Sequence, residues 1–210
     1  RRLETGKKLL EEIAERTGRP PLPVEFRCMS AEALELPAGS VDFILADNVF
    51  EHFDDPRAVL VEARRVLRDG GLLAIPIFSS ILSKHGLHLK HGLRLPWLNL
   101  VFSERTIVDA LAWRARRHPE LYTMYPGLEG QPQRVRDVRR HRDLNDLTYA
   151  EFRRLAAETG FKLRYFKILP TLTGLFLQRI PGLRETRLGD IFSLGASALL
   201  VAAPRPGEAA

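Results

Sequence analysis

Cysteine is almost missing from this 210-residue chain, Cys28 being the single one. An intrachain disulfide and a multi-cysteine metal site are therefore excluded. Long hydrophobic runs are missing too. No stretch reaches the roughly 18 consecutive apolar residues of a membrane span, and no secretory leader is visible. The expectation is a soluble, cytoplasmic protein with no membrane partner. There is no internal repeat and no low-complexity segment, and aromatic residues make up only 8% of the chain. Lys and Arg outnumber Asp and Glu by 32 to 26, a net charge of +6. That balance permits acidic partners, although Arg-rich solvated helix faces are the favoured reading.

What is present fits one α/β domain. The composition, 45% hydrophobic and 28% charged, is ordinary globular usage. The organising stretch is Val41 to Gly71. Val41-Asp42-Phe43-Ile44-Leu45-Ala46 is a nearly continuous apolar run, as expected of a parallel strand buried on both faces. The polar group Asp47, Asn48, Glu51 and His52 follows directly. In open α/β sheets ligands bind beyond the carboxyl ends of strands, so these side chains stand where a small molecule would meet them. Asp55 can cap the next helix and Pro56 suits its first turn. Val59, Leu60, Ala63, Val66 and Leu67 supply the helix's apolar face. Gly70-Gly71 offers a positive-φ exit, and Leu72 to Phe78 reads as the following strand.

This ordered set resembles the second half of a class I S-adenosylmethionine-dependent methyltransferase of the small-molecule, type 11-like kind. The residues that carry the resemblance are Asp42-Phe43-Ile44-Leu45, Val49-Phe50-Glu51-His52, Asp55-Pro56, Arg65-Val66-Leu67-Arg68 and Gly70-Gly71. It extends over residues 1–205, with a poorly matched stretch between about 118 and 147 and a tail at 206–210. The fold it implies is a Rossmann-like, mostly parallel sheet with an antiparallel last strand. S-adenosylmethionine is the implied cofactor.

The resemblance also exposes a gap. The family's Gly-rich loop after its first strand and the acidic residue ending its second occur nowhere in the sequence. Gly127 and Gly130 follow no strand and cannot stand in for that loop. The first two strands would then be absent, leaving Val24 to Cys28, the apparent third strand, without its usual neighbours. An open slot in a parallel sheet leaves buried backbone groups unpaired. Either Val24–Cys28 pairs directly with Val41–Ala46, or the 210 residues are a fragment of a longer reading frame; the fragment is favoured.

Site candidates follow from the resemblance. Ser30, Ala31 and Glu32 lie where the family's adenine-side segment usually reads Asp-Ala-Glu, with Ser30 in place of the Asp. The plain alternative is that Ser30 and Glu32 only cap and start a short helix. Ala46, Asp47 and Asn48 fall beside the methionine part of the cofactor, with Glu51 and His52 at the mouth. Histidine suits a general base near neutral pH, and a helix-start side chain bonded to nearby backbone is the competing reading.

His85, His88 and His91 suggest a metal site. No carboxylate or cysteine accompanies them and their spacing does not share one helical face, so no metal is expected. Residues 79–147, with Gly86-Leu87-His88-Leu89 before Leu95-Pro96-Trp97, resemble instead the acceptor-side lid of some methyltransferases of this type, which implies that His88 faces the substrate and Trp97 closes the pocket. A surface loop with Trp97 anchored in the core is the alternative. Arg134, Arg136, Arg139, Arg140 and Arg142 could hold a phosphate- or carboxylate-bearing ligand, although a solvated loop is favoured. Nucleic acid is not an expected partner.

Ser103 can cap a helix with Ile107, Ala110 and Leu111 inward, and Thr148-Tyr149-Ala150-Glu151 is a capping box. Phe161 to Leu169 and Ala196 to Ala202 read as the closing strands. The amphipathic stretch Leu172 to Leu188 could touch a lipid surface, but covering the sheet edge is the commoner fate of such a segment. The expected function is methyl transfer to a small-molecule acceptor, impaired by the missing Gly-rich loop. The alternative is a non-catalytic domain of the same fold that binds a partner or acidic ligand through its arginine-rich loop.

Overall fold

The computed structural model describes residues 2–20, 22–84, 93, 96–118, 145–177, 179–180, 182–183 and 186–205. His85, His88, His91, Arg134 to Arg142 and the 206–210 tail lie outside the described residues, so the lid's histidines and the arginine cluster receive no placement. The elements are α1 (Arg2–Thr17), β1 (Val41–Leu45), a short 3-10 turn (Phe50–His52), α2 (Pro56–Val66) and β2 (Leu67–Phe78). They continue as α3 (Leu98–Val101), α4 (Glu104–Ala115), α5 (Tyr149–Glu158), β3 (Phe161–Pro170), α6 (Leu172–Leu177), α7 (Arg187–Ile191) and β4 (Ser193–Ala202).

The strands lie side by side in the order β1-β2-β4-β3. β1 and β2 are parallel, with Ile44 opposite Leu73 and Leu45 opposite Ala74. β4 runs antiparallel to both β2 and β3, so β1, β2 and β3 share one direction and only the last strand opposes it. This is the expected Rossmann-like arrangement with an antiparallel finish.

α2 forms for the anticipated reasons. Asp55 Oδ1 accepts from the backbone N–H of Arg57 at 2.9 Å and of Ala58 at 3.0 Å, and Pro56 occupies the first turn, where a missing N–H costs nothing. Val59, Leu60, Ala63 and Val66 are its buried stripe. Leu67, expected on that stripe, instead turns extended and opens β2. The positive φ of Gly70 (75°) therefore serves an irregularity inside the strand rather than the helix exit. There the partner of β1 jumps from Leu67 opposite Val41 to Leu72 opposite Phe43.

The core lies on one face of the sheet, under α2 and α5. Phe50, Phe78, Tyr149, Phe152 and Leu60 are fully buried there. Their rings meet edge to face or tilted, Phe78–Phe152 at 4.6 Å and Phe50–Phe152 at 5.4 Å between centroids. Such pairs each contribute about 0.5–1.5 kcal/mol beyond area burial. β4 alternates cleanly, with Ala196, Ala198, Leu200 and Ala202 inward. Thr148 caps α5 and Ser103 caps α4, each accepting the backbone N–H three residues on at 3.2 Å. In α4 the inward residues are Ile107, Val108, Leu111 and Ala112, while Ala110 is exposed.

Three expectations are corrected here. β1 is not buried on both faces, since Phe43 is 52% and Leu45 59% exposed. The physical reason is that α1 is largely exposed and covers neither residue's side of the sheet. Val24 to Cys28 forms no strand. Arg27 is drawn into a two-bond ion pair with Glu25 and reaches Glu35 O, while the Phe26 ring occupies the space that Gly6 leaves by having no Cβ. Among the described residues the outer edge of β1 has no strand partner. The stretch Leu172 to Leu188 breaks into α6 and α7, which touch the edge strand β3 but leave Leu172, Leu175, Phe176, Ile180 and Leu188 exposed instead of burying them on it.

Candidate active site beyond β1 and β2

The carboxyl end of β1 delivers the predicted polar group. Ala46 is buried and its N–H extends the ladder to Ala74 O at 2.9 Å. Asp47 is exposed. Asn48 is exposed in a left-handed conformation (φ 53°), its N–H directed at Ile77 O at 3.3 Å. Asn is among the residues that tolerate this region, which lets the chain turn sharply out of the sheet. The Phe50–His52 turn follows, with Phe50 sunk into the aromatic core and His52 half-buried.

Glu51 is not at the mouth. Only 1% of it is exposed, and neither carboxylate oxygen has a hydrogen-bond partner among the described residues. Burial pushes its pKa up, opposed by the peptide N–H groups of Glu51 and Ser79 and by nearby His52, while Asp47 adds to the rise. A buried carboxyl group of this kind is costly as an anion and keeps its proton to higher pH than an exposed one.

The turn is held by a residue that the sequence alone did not single out. Asn145 donates its backbone N–H to Glu51 O at 2.7 Å, and its side-chain amide donates to Phe50 O at 3.0 Å and Phe53 O at 3.1 Å. Its side-chain oxygen accepts from Leu147 N–H at 3.2 Å. The only local signal was an amide residue just before a helix cap, which cannot reveal a contact some ninety residues away in sequence.

A second buried polar group lies beyond β2. Ser80 Oγ donates to Asp190 Oδ2 at 2.8 Å, and Tyr149 N–H donates to the same oxygen at 3.0 Å. Tyr149 OH and Ser193 Oγ are 3.0 Å apart. Burial raises the Asp190 pKa against the hydrogen bonds from Tyr149 and Ser80 and the more distant charges of Arg153 and Arg187. Burial likewise pushes the Tyr149 phenol up, so it remains a neutral hydroxyl. These bonds tie the segment after β2 to α5, α7 and β4.

The segment with Ser30, Ala31 and Glu32 reaches the same end of the sheet, but its side chains are engaged locally. Ser30 Oγ accepts from Glu32 N–H at 3.2 Å, and Glu32 Oε1 accepts from Asp55 N–H at 3.1 Å. No helix starts here: Ser30 closes a turn over Glu32, and the Glu32 carboxylate reaches across the chain to the cap of α2. Ser30 retains a hydroxyl proton to donate and Ala31 its peptide groups. Helix α2 grips the same loop further along: Glu62 Oε1 accepts from Leu34 N–H at 2.7 Å, and Arg65 donates to Leu34 O at 2.8 Å and Leu36 O at 2.9 Å. The Arg65 guanidinium beside Glu62 holds that carboxyl below its usual range. The i,i+3 pair was readable on the helix; its target was not.

Trp97 follows the anchored alternative. Its indole N–H donates to Ile191 O at 2.8 Å and its ring packs on Phe192. Among the described residues, no group of three or more His, Cys, Asp or Glu could hold a metal ion, and no helix is long and apolar enough to cross a membrane.

An exposed acid and amide thus stand at the strand tip, with a small buried residue at its base and a half-buried imidazole on the next turn. The family model described as "Methyltransferase domain" matches residues 2–75, which include β1, the turn and α2. Residues 2–75 are therefore similar to a methyltransferase domain, and the β1-β2-β4-β3 sheet has the Rossmann-like arrangement.

Among curated relatives, the ubiquinone biosynthesis O-methyltransferase of Parvibaculum lavamentivorans is 39% identical over 64 residues, 30% of this chain and 25% of that protein. An uncharacterized 37.1 kDa protein in a transposon of Streptomyces fradiae is 37% identical over 73 residues, 35% of this chain and 21% of that one. The chain thus spans a quarter or less of the length of these relatives. Among solved structures, the YcgJ protein of Bacillus subtilis is 16% identical with a TM-score of 0.48, over 95% of this chain and 80% of that one. A SAM-dependent methyltransferase from Methanosarcina mazei is 17% identical with a TM-score of 0.44, over 92% and 77%.

Proposed function

We propose that this chain transfers the methyl group of S-adenosylmethionine to an oxygen, nitrogen or carbon atom of a small-molecule acceptor. The observation that carries the reading is the convergence of Ala46, Asp47, Asn48 and His52 beyond the carboxyl end of a parallel strand pair, within the region matched by the methyltransferase domain. The donor set suits the cofactor. Asp47 and Asn48 offer exposed acceptors and donors for its amino-acid end, Ala46 leaves room beside the strand tip, and the Ser30 hydroxyl and Ala31 peptide suit the adenine. When bound, S-adenosylmethionine supplies an activated methyl on a sulfonium, and displacement there is in line, so positioning provides much of the rate.

In this reading His52 takes the proton that an oxygen or nitrogen nucleophile gives up as its bond to the methyl forms. Glu51 supports it from beneath, a buried carboxyl whose charge state His52 and Asp47 both influence. The roles of Glu51, His52 and the cofactor-side residues rest on the resemblance together with these positions, and that of His88, outside the described residues, rests on the resemblance alone.

The test is the release of S-adenosylhomocysteine on mixing the protein, S-adenosylmethionine and a panel of small phenols, amines and carbon acids. His52→Ala should slow release by about 10²–10⁴-fold while leaving cofactor affinity unchanged. Release unaffected by that substitution, or none with any acceptor despite bound cofactor, would overturn the assignment.

A further inference from the structure

Helix α6 is built with its apolar side out. The residues that it and its lead-in press against the protein are Thr171 and Gly174, both buried. Thr171 donates its N–H and its hydroxyl to Phe192 O at 2.8 and 3.0 Å. Gly174 lies so close to the Phe192 carbonyl that an added Cβ would collide with it. With its small face fixed there, the helix turns Leu172, Leu175 and Phe176 outward, at 83%, 51% and 71% exposure. A helix facing water would carry the reverse pattern.

The apolar surface continues around this point. Ile180 and, on α7, Leu188 are exposed, as are Val101 and Phe102 at the end of α3. α3 is anchored to the same Ile191–Phe192 stretch through Trp97. Exposed apolar side chains on elements fastened to one stretch, Ile191–Phe192, suit an interaction surface.

The charges beside it indicate the partner. The Arg179 guanidinium stands 6.0 Å over the Phe176 ring, and Arg187 is exposed on α7. The neighbouring edge strand β3, against which α6 and α7 pack, exposes Lys167 toward the end that leads into α6. Lysines on an edge strand discourage strand addition by a second copy. Apolar side chains flanked by arginines and lysines suit an anionic bilayer surface, where the apolar groups enter the headgroup boundary and the cations meet phosphates. We propose that α6, with Ile180, Leu188 and the end of α3, docks the protein onto anionic lipid surfaces. The surface carries no chemistry and stands independently of the methyl-transfer reading.

The experiment is co-sedimentation with phosphatidylcholine vesicles containing or lacking about 30% phosphatidylglycerol, at low and raised salt. The expected result is binding to the anionic vesicles alone, weakened by salt. The double substitution Leu172→Ser/Phe176→Ser should cut the partition coefficient by about tenfold or more. Both side chains are exposed, so the melting temperature should hold; Arg179→Glu is an independent second variant that should weaken binding without removing apolar area. Failure of the wild type to bind anionic vesicles, equal binding to neutral ones, or binding unchanged in both variants overturns the proposal. A concentration-dependent dimer that the double substitution dissolves, without vesicle binding, would assign the face to self-association instead and equally overturn it.

Discussion

Asn145 and Glu51 meet through the shortest backbone hydrogen bond at the site's turn, Asn145 N–H to Glu51 O at 2.7 Å. The Asn145 side chain adds two more bonds, to the carbonyls that flank Glu51 and His52 at Phe50 and Phe53. One residue before α5 therefore fixes the conformation of the turn that presents the imidazole. A hydrogen bond of this kind contributes about 0.5–1.5 kcal/mol net, and leaving a buried carbonyl unpaired costs about 1–3 kcal/mol.

Asn145→Ala should accordingly lower unfolding stability by about 1–3 kcal/mol in urea denaturation. Catalysis should fall further than stability explains under conditions where the variant remains folded, because His52 loses its fixed position.

Glu51→Gln should stabilise the protein. The native pKa of Glu51 is raised by burial, so the folded state holds this proton more tightly than the unfolded chain. Its favourable contribution is complete below the unfolded carboxyl pKa of about 4.3 and is lost as pH rises through the elevated native value. The melting temperature of Glu51→Gln, measured across that window, should match the wild type at its acidic end and exceed it increasingly toward neutral pH. A remaining slope of the same sign is expected from Asp190, whose pKa burial also raises. If wild type and variant run parallel, the carboxyl is solvated or paired.

Arg65→Met should release the loop bearing Ser30 and Ala31. It removes the donors to Leu34 O and Leu36 O and leaves the Glu62 carboxylate without its partner. The guanidinium is partly exposed, so solvent screening keeps the stability loss small. Arg65→Lys should restore little of it, since an ammonium lacks the planar fork that bridges two carbonyls and a carboxylate. Denaturation of both variants, with the Glu62→Gln cycle, measures the coupling.

The parts of this structure that were legible in the sequence are those set by local chemistry. Asp55-Pro56 announced α2, Thr148 announced α5, and the apolar runs near 41–46, 72–78, 161–169 and 196–202 located four strands. Misreadings arose where a distant partner decided. Val24–Cys28 has strand-like composition, but with an Arg27–Glu25 pair and no neighbouring strand it stays outside the sheet. Leu67 continues the period of α2, yet it pairs opposite Val41. Leu172 to Leu188 has the composition of an edge cover, but Gly174 pressed on Phe192 turns its leucines outward. At the site, the order Asp47, Asn48, Glu51, His52 was plain, whereas the inward turn of Glu51 and the grip of Asn145 depend on contacts that periodicity does not encode.

The central claim is that the tip of β1 and the turn after it form the wall of an S-adenosylmethionine site. Calorimetric titration of the protein with S-adenosylmethionine, repeated with Asp47→Ala and Ala46→Phe, tests it most directly. A single saturable site, weakened about tenfold or more by each substitution while the melting temperature of Asp47→Ala holds, is the predicted result. No saturable heat with the wild type, or three indistinguishable titrations, would contradict it.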